Sequence, residues 1–154
     1  TFIIVGQTTP QFRKFKEQQV QKIKQANLED KILIFNEIDN SEIYKWYQAM
    51  DLFIAPGRYE GFGLTIIEAM ASGIPAVAFE NVGTYSEQII DKKTGYLINQ
   101  ISSEELTKKL ESIIKNKKLL KEIGKNARHH TKTNFNINLE AKALIKIYQK
   151  LLAK

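Results

Sequence analysis

The chain has 154 residues, of which 43% are hydrophobic, so it is long enough for one domain with a core of its own. It contains no cysteine, which excludes disulfides and thiolate chemistry and favours a reducing compartment. Neither a membrane span nor a signal peptide is recognisable, and the formal net charge is +6. An apolar strand pattern starts directly after Thr1, so we expect the chain to be cut from a longer protein.

The first hundred residues alternate short apolar runs with longer helical stretches. The apolar runs lack polar alternation, which is typical of strands covered on both faces in a parallel sheet. The predicted strands are Phe2–Val5, Ile32–Phe35, Leu52–Ala55, Ala76–Phe79 and Tyr96–Ile98. The predicted helices are Pro10–Ala26, Ser41–Met50, Gly63–Ser72 and Tyr85–Ile90, with Pro10 in a first turn and Ser41 as an N-cap. This alternation predicts an α/β fold with a doubly wound parallel sheet.

After Asn99 the pattern predicts helices only. Apolar residues recur at helical spacing in three segments, and Ser102 or Ser103 is available to cap the first of them. These residues are Leu106, Leu110, Ile113 and Ile114, then Leu119, Leu120, Ile123 and Ala127, then Leu139, Ala143, Ile147 and Leu151 within Asn136–Leu152. Because no internal repeat or low-complexity linker interrupts the chain, we predict a single domain over residues 1–154.

The excess positive charge belongs to the C-terminal third. Residues 102–154 carry 13 Lys or Arg against 5 Asp or Glu, a net charge of +8, whereas residues 1–101 carry 10 against 12. One interpretation is a solvated face, and the other is attraction to an anionic membrane surface. Nucleic acid is a poorer partner because no aromatic residues are interleaved. The residues concerned include Lys108, Lys109, Lys115, Lys117, Lys118, Lys121, Lys125 and Arg128.

The segment from Pro56 to Ala78 carries the clearest functional signal. A strand leads into a turn with Gly61 and Gly63, and an apolar helix with a single carboxylate, Glu68, follows at once. Such a helix is normally buried, so Glu68 is expected to have a partner. The free N–H groups and positive dipole end of a helix that opens on a glycine turn suit a phosphate, and a carboxylate aimed at the turn suits sugar hydroxyls. The segment therefore predicts a site for a phosphorylated sugar or a nucleotide.

Two other interpretations of this segment remain open. Glu60 and Glu68 could be ordinary surface residues. Alternatively, Gly61-x-Gly63 could open a dinucleotide-binding fingerprint with Glu80 as the ribose-binding acid. Against that fingerprint, Ile66 occupies the third glycine position and the turn after Ala55 is long for the motif.

Metal and nucleophile chemistry have little support in the sequence. His129 and His130 lie in a Lys-rich helix without further ligands at metal spacing, so we predict that they are solvated. No Asp-x-Asp pair occurs, and Gly61-Phe62-Gly63 has no hydroxyl for a nucleophile elbow. A response-regulator interpretation lacks the required Asp after Phe35 or Ala55.

The chain resembles the C-terminal donor-binding, Rossmann-like domain of retaining GT-B glycosyltransferases, the glycosyl transferases group 1 family with the Glu-x7-Glu motif. The resemblance covers nearly the whole chain. It is carried by Asp51–Pro56, Glu60–Leu64, Glu68–Ala71, Gly73–Pro75, and Glu87–Ile90 followed by Gly95-Tyr-Leu. The resemblance implies a donor half with added C-terminal helices.

The resemblance implies specific roles for residues. Glu68 matches the glutamate that binds the nucleotide ribose, and Glu60 matches the catalytic glutamate that faces the donor sugar near the reacting carbon. The backbone from Gly61 through Phe62, Gly63, Leu64 and Thr65 matches the cradle for sugar hydroxyls and diphosphate. Gly6 is the one glycine kept after the first strand, and Asn36 stands in the loop that holds the base. Thr8, Asn36 and Gly57 depart from the residues usual in the family.

The resemblance implies a function for the intact protein. It would transfer a sugar from a nucleotide-sugar to a glycan or lipid-linked acceptor, without a metal or other cofactor, in cell-envelope polysaccharide synthesis. The acceptor would be bound by a missing N-terminal domain, so the isolated chain would be inactive. We expect a cytoplasmic protein, which would be peripheral to the inner membrane face if the basic segment, residues 102–154, binds lipid. The alternatives are half of a sugar-nucleotide 2-epimerase and a fragment of an NAD-dependent dehydrogenase.

Overall fold

The structure is a computed structural model that describes residues 1–153. The chain divides into two compact units, unit 1 (Thr1–Ile43) and unit 2 (Tyr44–Lys154). Both contain parallel strands joined through helices, so the predicted α/β class is confirmed. The prediction that residues 1–154 form one nucleotide-sugar-binding domain stays a prediction. Every helix within residues 1–153 is too short or too polar to span a membrane.

Unit 1 is a two-stranded parallel sheet with one helix. Strand β1 (Phe2–Val5) pairs with β2 (Ile32–Phe35), and a 3-10 turn that begins at Pro10 runs into α1 (Arg13–Gln25). No residue of unit 1 is buried, and the side chains of β1 are 36–44% exposed. The expectation that this strand is covered on both faces is therefore wrong. Two strands and one helix provide too little apolar surface to cover each other.

Unit 2 contains the buried sheet. Strands β3 (Phe53–Ala55), β4 (Ala76–Phe79) and β5 (Gly95–Ile98) are parallel and lie in that order. Every residue of β4 and β5 is buried, as the continuous apolar runs predicted. Gly95 is required at the start of β5, because a Cβ there would lie 2.5 Å from the carbonyl oxygen of Ala76.

The helices agree with the predictions to within a few residues. Helix α2 begins at Ile43 and not at Ser41, because the Asp39 carboxylate accepts hydrogen bonds from both the Ser41 N–H and its hydroxyl and holds that residue in a turn. Ser102 and Asn136 cap the helices that follow them. The helices are α2 (Ile43–Gln48), α3 (Leu64–Ala71), α4 (Tyr85–Gln88), α5 (Ser103–Ile113), α6 (Lys117–Asn134) and α7 (Ile137–Leu152).

Helix α6 packs closely on the end of α3. A Cβ on Gly124 would lie only 2.1 Å from the carbonyl oxygen of Gly73, so the two backbones touch at this point. Leu120, Ile123 and Ala127 of α6 are buried in the same core as β4 and β5. This packing fixes the direction of α3, and with it the position of the turn that precedes α3. Helix α7 buries none of its residues.

Candidate functional site

The turn before α3 presents unpaired N–H groups. Gly63 has φ +78°, a left-handed conformation that favours glycine, and the first bond of the helix runs from the Ile66 N–H to the Gly63 carbonyl at 3.1 Å. By helix geometry, the N–H groups of Leu64 and Thr65 precede the first helical acceptor. No group among residues 1–153 pairs with the Gly63 N–H. Three consecutive N–H groups at the positive end of α3 thus lack an internal partner, those of Leu64 and Thr65 on exposed residues and that of Gly63 on a buried one.

Helix α3 has an exposed face as well as a buried one. Ile66, Ala69 and Met70 are buried, whereas Leu64 is 63% exposed and Glu68 is also exposed. The expectation that the helix is buried all round is wrong, because the sheet and α6 cover only one side of it. The amino-acid composition of the helix does not distinguish the covered Ile66 from the exposed Leu64, since both are large and apolar. The open face carries Leu64, Thr65 and Glu68, which are three of the residues predicted to bind the donor.

Glu68 is exposed but anchored. Its Oε2 accepts a hydrogen bond of 2.8 Å from the hydroxyl of Tyr47, which is 5% exposed and packs edge-on against Phe53 at 5.8 Å. Burial, and then the bond to Glu68 and its charge, raise the pKa of Tyr47 well above the ordinary value, so the hydroxyl stays a donor. A carboxylate accepts up to about four hydrogen bonds, so Glu68 retains capacity for a ligand. No pattern in the sequence pointed to Tyr47.

Glu60 lies in the turn beside a buried tyrosine. Its Oε1 accepts a bond of 2.8 Å from the Gly61 N–H, and its carboxylate is exposed. Burial, followed by the charge of Glu60 and a hydrogen bond to it, raises the pKa of Tyr85. The ring of Tyr85 also supports Gly63, because a Cβ on Gly63 would lie 2.7 Å from it. Tyr85 therefore supports the backbone of the predicted site and senses the charge of its carboxylate.

Phe62 is held through its backbone and its ring. Its carbonyl accepts a bond of 2.8 Å from the Thr84 hydroxyl and a second from the side-chain amide of Gln88. Its half-exposed ring packs edge-on against Phe135 at 6.5 Å. Gln88 lies in Glu87–Ile90, one of the segments that carry the family resemblance, but the sequence assigned no role to it or to Thr84, because hydrogen bonds across twenty or more residues leave no local pattern.

In unit 1, the two predicted residues lie together at the carboxyl ends of the strands. The Gly6 N–H donates to the Phe35 carbonyl at 3.1 Å, and Asn36 directly follows β2. The Asn36 side-chain oxygen accepts a hydrogen bond from the ammonium of Lys16 on α1. Lys16 was not singled out in the sequence, where it is one of several lysines along α1.

The two histidines differ in their surroundings. His129 is exposed as predicted, but His130 is half-buried, with its ring 5.7 Å from Phe135 and its Nδ1 3.0 Å from the Asn134 amide nitrogen. The prediction that His130 is solvated is wrong, because α6 turns this side toward Phe135. Residues 1–153 contain no group of three His, Cys, Asp or Glu residues that could hold a metal ion.

Comparisons with known proteins relate the chain to sugar-transferring enzymes. The family model described as "Glycosyl transferases group 1" matches residues 1–130. The chain is 35% identical over 152 residues to the lipopolysaccharide core biosynthesis mannosyltransferase LpcC of Rhizobium leguminosarum bv. viciae, and the match covers 99% of this chain and 42% of that protein. The chain thus spans less than half the length of this relative.

Solved structures agree with the sequence match. The C-terminal domain of a glycosyl transferase group 1 family protein (LpcC) from Francisella tularensis is similar with a TM-score of 0.80 and 36% identity, over 88% of this chain and 69% of that one. Sucrose-phosphate synthase from Thermosynechococcus elongatus is similar with a TM-score of 0.85 and 28% identity, over 98% of this chain and 38% of that one. The predicted fold, the C-terminal half of a GT-B fold, is confirmed.

Proposed function

Because this chain belongs to the glycosyl transferases group 1 family, we propose that it is the donor-binding domain of a retaining glycosyltransferase. The intact protein moves a sugar from a nucleotide-sugar to a glycan or lipid-linked acceptor in cell-envelope polysaccharide synthesis. The observation that carries the proposal is Glu68, an exposed carboxylate held by the Tyr47 hydroxyl on the open face of α3. An anchored but accessible carboxylate beside free N–H groups fits a ligand with both hydroxyl and phosphate groups.

The ribose and the diphosphate of the donor each have a matching group in unit 2. Glu68 accepts hydrogen bonds from the ribose hydroxyls. The N–H groups of Gly63, Leu64 and Thr65, with the positive end of α3, stabilise the negative charge that grows on the departing diphosphate. Gly61 and Phe62 complete this cradle. Such fixed dipoles supply charge stabilisation without a metal ion, so the reaction proceeds without metal or other cofactor and with the nucleotide-sugar as co-substrate.

Glu60 is the proposed catalytic residue. Its carboxylate is exposed in the turn and is fixed by the Gly61 N–H at 2.8 Å. Cleavage of a glycosidic bond passes through a transition state with positive charge at the sugar carbon, which a nearby carboxylate stabilises. The neighbouring Tyr85, with its raised pKa, remains neutral beside this carboxylate.

Gly6 and Asn36 of unit 1 form the proposed wall for the base. Both lie at carboxyl ends of parallel strands, where nucleotide sites of α/β proteins are found. We assign the acceptor to a part of the protein outside this chain, consistent with the limited share of the relative that the chain covers. The protein works in the cytoplasm, where nucleotide-sugars are made, and the basic segment attracts it to an anionic membrane surface.

The donor panel that tests the proposal starts with mannose, because the Rhizobium relative is named a mannosyltransferase. The intact protein is titrated by calorimetry with GDP-mannose, UDP-glucose and ADP-glucose, with NAD as the control ligand. We expect saturable binding of at least one nucleotide-sugar and none of NAD. Binding of NAD alone, or of none of the four, contradicts the proposed function.

A further inference from the structure

The carbonyl of Phe62 is fixed by two donors from one short segment. The Thr84 hydroxyl lies 2.8 Å from it, and the Gln88 side-chain amide nitrogen donates to the same oxygen. That amide nitrogen is also 3.1 Å from the Thr84 hydroxyl oxygen, so the two side chains form one network. A carbonyl oxygen has two lone pairs, and here two donors engage them. The direction of this carbonyl is therefore set by Thr84 and Gln88.

The direction of the Phe62 carbonyl also sets the direction of the Gly63 N–H. The two groups belong to one planar peptide unit, and residues 1–153 contain no cis peptide bond. In a trans peptide the C=O and N–H point to opposite sides. Because the carbonyl points to Thr84 and Gln88, the Gly63 N–H points away from them, and no group within residues 1–153 pairs with it.

Gly63 leaves this peptide free to rotate unless something holds it. Glycine accepts both left- and right-handed conformations, so a flip of the Phe62–Gly63 peptide has little steric cost at this residue. A flipped peptide would present a carbonyl oxygen, which repels a phosphate, where the N–H now stands. The contacts from Thr84 and Gln88 select the orientation that attracts an anion.

Gln88 is difficult to explain as a packing residue. It is fully buried, and its Oε1 has no hydrogen-bond partner within residues 1–153. An unpaired buried acceptor is destabilising, and an apolar side chain of similar size would fill the space without it. The one contribution that only the amide makes here is its donated hydrogen bonds, to Phe62 and Thr84.

We infer that Gln88, assisted by Thr84, is a positioning residue that orients the Gly63 N–H toward the diphosphate of the bound donor. The inference rests on the proposed function, because it assigns a ligand group to that N–H. Gln88 acts through the Phe62–Gly63 peptide and does not touch the donor itself. Its loss costs affinity for the diphosphate part of a ligand and leaves the nucleoside part unaffected.

The test compares nucleoside diphosphates with monophosphates in the intact protein. Gln88→Met keeps the length of the side chain and removes its donor. We measure dissociation constants of UDP and UMP, and of GDP and GMP, for the wild type and the variant. The advantage of diphosphate over monophosphate should fall about tenfold in Gln88→Met, as expected for one lost charge-assisted bond. Monophosphate affinity should change less than twofold, which a general loss of structure would not produce.

Selective isotope labelling reads the peptide itself. Phe62–Gly63 is the only Phe-Gly step in these 154 residues, so carbonyl ¹³C phenylalanine combined with ¹⁵N glycine isolates this single peptide in the chain. In the wild type, UDP or GDP should shift the Gly63 N–H signal. In Gln88→Met the free Phe62 carbonyl signal should move upfield, and the nucleotide-induced shift of the N–H should be lost.

Two further variants make the result decisive. Thr84→Val removes one of the two donors and should reduce the advantage of diphosphate over monophosphate about threefold. This variant tests the same carbonyl if Gln88→Met fails to fold. Ser86→Ala, an exposed position on α4 between them, should change nothing. If the wild type binds neither UDP nor GDP, the proposed function fails and this inference with it. If it binds them and the variants keep the full advantage and the Gly63 shift, only the role of Gln88 is overturned.

Discussion

Unit 1 and unit 2 have equally clear strand patterns but very different interiors. All buried hydrophobic residues among residues 1–153 belong to unit 2, and residues 1–43 include none. Phe2–Val5 and Ala76–Phe79 look alike as sequences, yet the first run is 36–44% exposed and the second is fully buried. An apolar strand pattern thus predicts the backbone conformation but not whether other elements bury the strand. The proposed catalytic and diphosphate groups lie in the unit that has a core to hold them.

The largest contrast between the units should come from truncating apolar side chains. Ile66 is fully buried in α3, directly after the glycine turn, so Ile66→Ala should reduce the free energy of unfolding by about 2–5 kcal/mol. Ile4 in β1 is 41% exposed, so Ile4→Ala should cost less than about 1 kcal/mol. Urea unfolding of the intact protein carrying each variant measures the two losses in the free energy of unfolding. Equal losses would remove the distinction between the units.

The backbone contact of Gly124 gives a second contrast between the units. Gly124→Ala should reduce the free energy of unfolding by about 3 kcal/mol, because the new methyl group would overlap the Gly73 carbonyl. Gly6→Ala in unit 1 is the matched control, since nothing lies within 4 Å of a Cβ there. Thermal unfolding should show a large shift for the first variant and almost none for the second. A stable Gly124→Ala protein would mean that α6 does not touch α3 as described.

The sequence predicted the elements better than their environment. All five strands and the glycine turn before α3 were placed within a residue or two, because periodicity and glycine positions are local features. The exposure of Leu64 was not predicted, since it depends on which side of α3 the rest of the fold covers. For the same reason the sequence assigned no role to Tyr47 or Gln88. Their hydrogen bonds to Glu68 and Phe62 join segments about twenty or more residues apart.

High pH should reduce the stability of unit 2 and not that of unit 1. Burial is the first cause that raises the pKa of Tyr47, Tyr85 and Tyr96, and unit 1 contains no tyrosine. The folded state holds these protons more tightly than the unfolded chain, whose tyrosines ionise near the ordinary value of 10.0. Stability is therefore fully present below pH 10 and falls as the pH rises toward the folded values.

Ultraviolet absorbance of tyrosinate, followed together with circular dichroism, checks this expectation. Three tyrosines should resist ionisation until the secondary structure of unit 2 is lost. Tyr47→Phe should reduce that number to two. Reversible ionisation of all six tyrosines in the folded protein would contradict the burial of these three hydroxyls.

The smallest effect concerns the basic segment. Lys121 and Lys125 are exposed on α6, and each lysine near an anionic bilayer contributes about 1 kcal/mol at low salt. Lys121→Glu with Lys125→Glu should reduce sedimentation with anionic liposomes, and added salt should do the same. The matched change in unit 1, Lys14→Glu with Lys24→Glu, should have less effect. If the wild type stays in the supernatant at low salt, the segment is a solvated face.

The central claim is that Glu68, anchored by Tyr47, binds the donor ribose. Titration calorimetry with the nucleotide-sugar that binds the wild type best tests it directly, using Glu68→Ala and Glu68→Gln. We expect Glu68→Ala to weaken binding by about 1.5–3 kcal/mol, since hydrogen bonds to a charged group are lost, with Glu68→Gln intermediate and both variants folded. An unchanged dissociation constant in a folded Glu68→Ala protein would contradict the assignment of this carboxylate to the donor.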